Sequence, residues 1–359
     1  MKMKKWMWRL IGFGILAIPF IVAFHSMTWA LILVLLEVIG LAGLVFLLDF
    51  ATFNTQVPWG IPAVIHANDM KHLRNDDREY MEWIEREGEH LYVEEKKGFV
   101  QQAVYLEHPD PKGLVYLCHG YGDYGCQSVA LPARRFYEAG YSIFLPRSRG
   151  FGSKDGHWTT MGVLERGDHI EWLERISKRF PDADIYLYGV SMGAASVMNL
   201  CDYKNSQIRG IIEDCGYLSL ADQLSHSMTV VIGADRFPLY PLTRLLVSFY
   251  PGFDMHGMDV REKLGHSLYP LIAFHGRQDD FVPFENLELV KRYAGKHLEE
   301  AIAVDQCVHC QSYLKDQAYF SKIEQFMARH ASSAKAKSDE HHSDEYNEED
   351  KNNLKEWSE

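Results

Sequence analysis

The sequence predicts an α/β fold, a mostly parallel central sheet with helices on both faces, and three observations predict it. Strand-like apolar runs alternate with helix-like runs through the middle of the chain, the pattern that builds a covered parallel sheet. Gly189-Val190-Ser191-Met192-Gly193 stands between a β-rich run, Asp184 to Tyr188, and a run of small and helix-forming residues. An acid and a histidine follow it, in His275-Gly276-Arg277-Gln278-Asp279 and in Val308-His309-Cys310-Gln311-Ser312-Tyr313.

The first fifty residues are of a different composition. Leu10 to Phe24 is almost wholly apolar, and Trp29 to Leu48 is a second such run interrupted by Glu37. One helix from Leu10 to Leu48 would be about 58 Å long, nearly twice the hydrocarbon thickness of a bilayer. Two transmembrane helices joined by His25-Ser26-Met27-Thr28 fit better. Lys2, Lys4, Lys5 and Arg9 precede the first run, and the connector has no lysine or arginine. The positive-inside rule then keeps the N-terminus, and through the hairpin the domain that follows, in the cytoplasm. A signal peptide with Leu10 to Phe24 as its apolar core is the rival reading, opposed by the second run. A charge such as Glu37 costs about 2.5–3.5 kcal/mol inside a span. It is read as a protonated or helix-paired carboxyl without catalytic meaning.

The anchor therefore covers 1–50, and a juxtamembrane segment follows over 51–90. Within that segment, His66 to Glu87 predicts a charged helix with Met70, Leu73, Tyr80, Met81 and Ile84 on one side. Leu91 to Val93 and Phe99 to Leu106 predict an opening hairpin. Further strands are predicted at Gly113 to Cys118, Tyr141 to Leu145, Asp184 to Val190, Ile208 to Asp214, Leu271 to His275 and Ala301 to Val304. Helices are predicted at Leu131 to Ala139, Met161 to Phe180, Met192 to Tyr203, Leu287 to Ala294 and Lys315 to His330. The interval 216–267 is too long for a simple crossover. It reads either as an apolar helical cap over the strand ends, where such sheets place their ligands, or as an elaboration of the domain edge.

Charge and cysteine content narrow the class. Of the net charge of −12, the stretch from Ser338 to Glu359, with nine acidic residues and two lysines, carries −7. That tail, 331–359, is expected to be a disordered, solvated extension. The remainder is mildly acidic without a basic stripe, which excludes nucleic acid as an expected partner. Six cysteines without dense spacing do not describe a disulfide framework and suit a reducing compartment.

The motifs carry the chemistry. Ser191 is the candidate nucleophile, exposed by a strand-to-helix elbow whose glycines allow close packing. His309 is the candidate general base and Asp279 the acid that orients it, with adjacent Asp280 not excluded by spacing. The chain order Ser, Asp, His is that of α/β-hydrolases. Cys118-His119-Gly120-Tyr121-Gly122 ends a central strand, and the amides of Tyr121 and Met192 are the candidate oxyanion donors. His119 and His275 are read as turn and packing residues. The stretch Arg149-Gly150-Phe151-Gly152-Ser153 with Gly156 lacks the ending of a phosphate loop and is read as a turn beside the site. Cys307 and Cys310 have no second pair at ligand spacing and are read as packing groups, so no metal is expected.

These residues resemble the α/β-hydrolase superfamily, in its esterase-like branch grouped with serine aminopeptidases and dienelactone hydrolases, over 91–330. The resemblance implies a Ser191–His309–Asp279 triad, an acyl-enzyme intermediate and no cofactor. Relatives often carry aspartate where Arg147 stands here, which leaves the local ion pairing open. A membrane-anchored serine hydrolase acting on carboxylic, lipid-like acyl esters is the expected function. A peptidase and a noncatalytic membrane scaffold are the alternatives.

Overall fold

The computed structural model describes residues 27–56, 58, 60–72, 75–94, 100–124, 126–151, 158–229, 236–249 and 253–332. The first apolar run, Leu10 to Phe24, and the acidic tail lie outside these residues, so only the second arm of the expected hairpin is described.

That arm is α1 (Met27–Phe53). Its stretch Leu31–Phe53 has 23 residues and a mean hydropathy of 2.9. At 1.5 Å per residue it is about 34 Å long, enough to cross a bilayer. It is the one such helix among the described residues. Leu31, Leu35, Leu36, Val38, Ile39 and Phe46 on it are exposed, whereas Val45, Asp49 and Phe53 near its end are buried. Glu37 is partly exposed.

Over the span expected as a charged helix, His66 to Glu87, the described residues form α2 (Ile61–His72) and α3 (Asn75–Glu87), and 73–74 between them lie outside the described residues. Asp76 and Asp77 give α3 an acidic first turn of its own, favourable at a helix N-terminus. The hairpin is present as β1 (Glu89–Glu94) against β2 (Val100–Leu106). Then come β3 (Leu114–Cys118), α4 (Ala130–Glu138) and β4 (Ser142–Arg147).

The helix expected from Met161 begins four residues later, as α5 (Glu165–Arg179). The buried Glu165 carboxylate accepts from the Thr160 and Gly162 amides at 2.7 and 2.9 Å, and this holds 160–164 in a turn. β5 (Ile185–Val190) leads directly into α6 (Met192–Met198), which is shorter than the predicted helix, and then β6 (Ile208–Asp214). The long insertion contains α7 (Leu220–Ser227), α8 (Arg236–Val247) and α9 (Arg261–Leu264). β7 (Leu271–Gly276), α10 (Glu285–Ala294) and β8 (Leu298–Val304) complete the alternation. The last expected helix, Lys315 to His330, begins four residues later as α12 (Tyr319–His330), and a short α11 (Ser312–Lys315) precedes it. Between them Asp316 Oδ1 accepts from the Ala318 amide at 2.9 Å, a side-chain turn that competes with helix.

The strand order is β1-β2-β4-β3-β5-β6-β7-β8. The β1–β2 and β2–β4 pairs are antiparallel, and every pair from β4 to β8 is parallel. β3 is buried along its whole length, as expected of a parallel strand covered on both faces. Its Leu114, Tyr116 and Cys118 join one core with Trp172 and Leu173 of α5 and Leu287 of α10. Its Val115 and Leu117 join another with Ile84 of α3, Ala133 of α4 and Ile323 of α12. The rigid middle of the sheet thus ends at the elbow after β5.

Candidate active site

The elbow is built by sterics before any side chain acts. Ser191 has φ 57° and ψ −118°, a region costly for a residue with a Cβ, of order 1–3 kcal/mol. A Cβ at Gly193 would stand 2.0 Å from the Cys118 carbonyl oxygen, and one at Gly189 would stand 2.2 Å from that of Gly193. Only glycine fits at either position, which is why α6 can pack so close beneath β3 and β5. The Ser191 amide donates to the Asp214 carbonyl at 2.8 Å and ties the elbow to β6.

The three predicted triad residues come together. His309 Nε2 lies 2.8 Å from Ser191 Oγ, and His309 Nδ1 lies 2.6 Å from Asp279 Oδ2. Asp279 Oδ1 accepts from the amides of Phe281 and Val282 at 3.1 and 2.9 Å. Asp280 is exposed, and its backbone carbonyl meets His226 Nε2 at 2.8 Å, so the structure brings Asp279 and not Asp280 to the histidine. Phe281 lies against the His309 ring with centroids 5.0 Å apart.

Electrostatics follow from this burial. Desolvation alone would raise the Asp279 carboxyl, but its bonds with His275 and His309 reverse the sign and hold it at about 2. Burial pulls His309 toward its neutral form, while neighbouring Cys215 and Asp279 outweigh it and hold the ring well above the ordinary histidine value. Burial raises the Cys215 thiol well above its usual range, so near neutrality it is uncharged and Asp279 is the charge that acts on His309.

His275, expected to be a packing and turn residue, does more than pack. Fully buried, it stands 3.4 Å from Asp279 Oδ2 and 3.0 Å from the Val282 carbonyl, so it braces the acid at the same oxygen that meets His309. Asp214 is a further supporting group absent from the sequence reading. It accepts from Ser312 Oγ at 2.6 Å and Tyr319 OH at 3.0 Å, which fixes the chain just after His309. Ser312, three residues past the histidine, is the signal that could have pointed to it.

The turn after β3 lies beside the serine, with a Gly120 Cβ position 3.7 Å from Ser191 Cβ. His119 shapes this turn, with Nδ1 2.8 Å from the Gly120 carbonyl and Nε2 accepting from the Ser148 amide at 3.0 Å. Burial lowers its pKa and keeps it neutral for both bonds. Tyr121 and Met192, the predicted oxyanion donors, both line the cavity at Ser191. Among the described residues, neither amide donates to another backbone group.

The second turn belongs to Arg149 and Gly150, while Gly152, Ser153 and Gly156 lie outside the described residues. Arg149 pairs with Asp168, and Gly150, at φ 81°, receives a hydrogen bond from Thr55 Oγ1 at 2.7 Å. Arg147 answers the open question about its ion pairing by binding Glu85 and the Tyr124 carbonyl. Cys310 Sγ lies 3.7 Å from Cys215 Sγ. Cys215, His309 and Cys310 place their potential ligand atoms within 4.8 Å of one another. A metal held there would take the Nε2 or Nδ1 that the triad uses.

Ser191 opens on a small, partly open cavity of about 70 Å³. Its wall is the unexpected part of the site. Leu48, Asp49, Thr52 and Phe53 from the end of α1 line it, together with Gln223, Leu224, Ser227 and Met228 around α7 and Thr243 of α8. Tyr121 OH donates to the Thr52 carbonyl and Tyr124 OH to that of Thr55. Phe53 meets Phe253 edge to face at 5.0 Å, and Val45 packs with Met228, Leu242 and Leu246. Of the two readings of the insertion, the one that places it over the strand ends fits this arrangement.

A family model described as serine aminopeptidase, S33, matches residues 109–220, which contain the β3 turn and the elbow. The chain has the α/β-hydrolase fold. Two uncharacterized proteins from strains of Mycobacterium tuberculosis are each 26% identical to this chain over 200 residues, 55% of this chain and 63% of theirs. The match therefore spans less than two thirds of those relatives. The esterase Pf2001 of Pyrococcus furiosus has a similar fold, with a TM-score of 0.55 and 18% identity over 68% of this chain and 92% of its own. The structure of DcsB with its substrate analogue gives a TM-score of 0.51 and 12% identity over 68% and 99%.

Proposed function

We propose that the protein is a membrane-anchored serine esterase that hydrolyses short acyl esters presented at a lipid surface. The observation that carries this reading is the hydrogen-bonded chain from Ser191 through His309 to Asp279 opening on an apolar cavity walled by α1. His309 takes the Ser191 proton as Oγ attacks the ester carbonyl. The amides of Tyr121 and Met192 hold the oxyanion, a role in which one donor is worth about 100- to 1,000-fold in rate. His309 then protonates the departing alcohol, leaving an acyl group on Ser191. Water, deprotonated by the same histidine, attacks that acyl group, and Ser191 recovers its proton.

The size and place of the cavity support the substrate class. About 70 Å³ is well below the roughly 300–1,000 Å³ of a drug-sized pocket, which suits a short acyl group. Leu31–Phe53 as a span would set its last turns, and with them the cavity wall, at the membrane–water boundary. The arginine and lysine pattern before Leu10 favours a cytoplasmic domain. The name of the matching family supports a peptidase only through its description, and no observed feature of the cavity selects a peptide.

The test is labelling of the full chain in detergent with a fluorophosphonate, wild type against Ser191→Ala, followed by an ester series of increasing acyl length. Labelling confined to the wild type, with turnover highest on short chains, supports the proposal. A folded wild type that neither labels nor turns over any ester refutes it and returns the scaffold reading.

A further inference from the structure

Three polar atoms interrupt the apolar lining of the Ser191 cavity. Asp49 Oδ2, Gln223 Oε1 and Thr243 Oγ1 are buried and make no hydrogen bond of ordinary length within the described residues, although the Thr243 hydroxyl faces the Asp49 carboxyl. Their side chains belong to residues only 3%, 4% and 2% exposed. They come from three separate elements, α1, α7 and α8, and all three residues line the cavity that holds Ser191. Buried polar groups in proteins are as a rule paired, so each orphan calls for an explanation. Three of them converging on one cavity, beside a reactive serine, have the layout of a ligand site: apolar walls with a few placed polar groups.

Their chemistry defines the ligand. The Gln223 amide nitrogen already donates to the Phe281 carbonyl at 2.8 Å and to Ser227 Oγ at 3.2 Å. Its free atom is therefore an acceptor. The free Asp49 oxygen accepts when the carboxyl is ionised, and the Thr243 hydroxyl both donates and accepts. Two acceptors and one two-way group call for a substrate that brings hydrogen-bond donors. A hydroxyl donates its one proton to the Asp49 or Gln223 oxygen and accepts from Thr243, and it brings no formal charge into an apolar cavity, whereas an ammonium would have to be desolvated there.

We infer that Asp49, Gln223 and Thr243 form a polar subsite that selects acyl esters bearing a free hydroxyl close to the scissile bond. This rests on the esterase reading above, and it makes α1 a specificity element of that site as well as an anchor. A site built to pair a hydroxyl discriminates strongly against the analogue that lacks it, because its own polar atoms are then left unpaired.

The experiment compares kcat/KM for the monobutyrate ester of propane-1,3-diol with that for propyl butyrate. It uses the full chain in detergent micelles. Wild type should prefer the hydroxylated ester by at least about tenfold. In Asp49→Leu and, independently, in Thr243→Val, which keeps the shape of the side chain, that ratio should fall toward one. A variant that is only less well folded would lose activity on both esters and keep the ratio. A wild-type ratio near one, a ratio unchanged in both variants, or a stronger preference for the matching 3-aminopropyl ester overturns the subsite. Fluorophosphonate labelling of Ser191 in the same samples separates the two claims. Labelling without hydroxyl preference removes only the subsite, and absence of labelling in wild type removes the esterase reading with it.

Discussion

Two regions meet at the Ser191 cavity, the elbow beneath it and the wall formed by α1 and the cap, and they differ in what fixes them. At the elbow the backbone decides. Ser191 is held at positive φ, and neighbouring carbonyls leave no room for a Cβ at Gly189 or Gly193. At the wall, side-chain packing decides, through Phe53 on Phe253 and Val45 on Met228, with hydrogen bonds from Tyr121 and Tyr124 to the end of α1. The first kind of order tolerates no substitution. The second can be retuned, so the reaction should be set by the elbow and the choice of substrate by the wall.

The sharpest way to break that division is at the elbow. Ser191→Ala should lower kcat by about 10⁶-fold while leaving the fold intact, as loss of a triad nucleophile does. Gly193→Ala should remove labelling by forcing the elbow apart, with a lower Tm as the accompanying sign. Asp279→Asn comes next, at about 10⁴-fold in kcat. It also carries a pH signature. On the proposed mechanism His309 must be neutral to accept the serine proton, and the Asp279 carboxylate beside it raises its pKa above the ordinary histidine value. Activity should therefore fall as pH drops through a limb displaced above the usual histidine range. Removing the Asp279 charge should move that limb to lower pH. A wild-type limb at or below the ordinary histidine value contradicts this account.

Changes at the wall should be smaller and selective. Phe53→Ala should cost about 3–5 kcal/mol of stability and enlarge the cavity. The ratio of kcat/KM for longer to shorter acyl chains should rise by roughly 10- to 200-fold. An equal loss on every chain length would mean that Phe53 is only a packing residue. The smallest effect on turnover is expected at the other end of α1. Leu35→Ser, on its exposed face, should weaken membrane retention in a fractionation assay and leave ester hydrolysis in detergent unchanged.

How legible each region is in the sequence follows from the same contrast. The elbow, the acid and the histidine are readable because each is a local motif whose residue types are dictated by backbone geometry. The sheet is readable because its strands are continuous apolar runs between helical ones. Helix ends are read less well where a side chain overrides propensity, as Glu165 does before α5 and Asp316 before α12. The wall is nearly invisible. The second apolar run, taken to end at Leu48, stops one residue before Asp49, and attention to charge in the span falls on Glu37 instead. Nothing local tells that Asp49 shares a cavity with Gln223, Thr243 and Ser191, because only the tertiary fold brings four distant stretches together. An apolar helix continuing past a lone aspartate to Phe53 is the signal available in hindsight.

The central claim is that the end of α1 is a wall of the serine's own cavity. A fluorophosphonate carrying a short alkyl chain tipped with a diazirine tests it directly. The probe is first attached to the full chain in detergent, then irradiated, and the crosslinked peptides are mapped by mass spectrometry. The account predicts attachment at Ser191 and crosslinks to residues 48–53 and 223–228. Attachment at Ser191 with crosslinks only elsewhere in the domain would contradict it, leaving α1 as a tether with no part in the site.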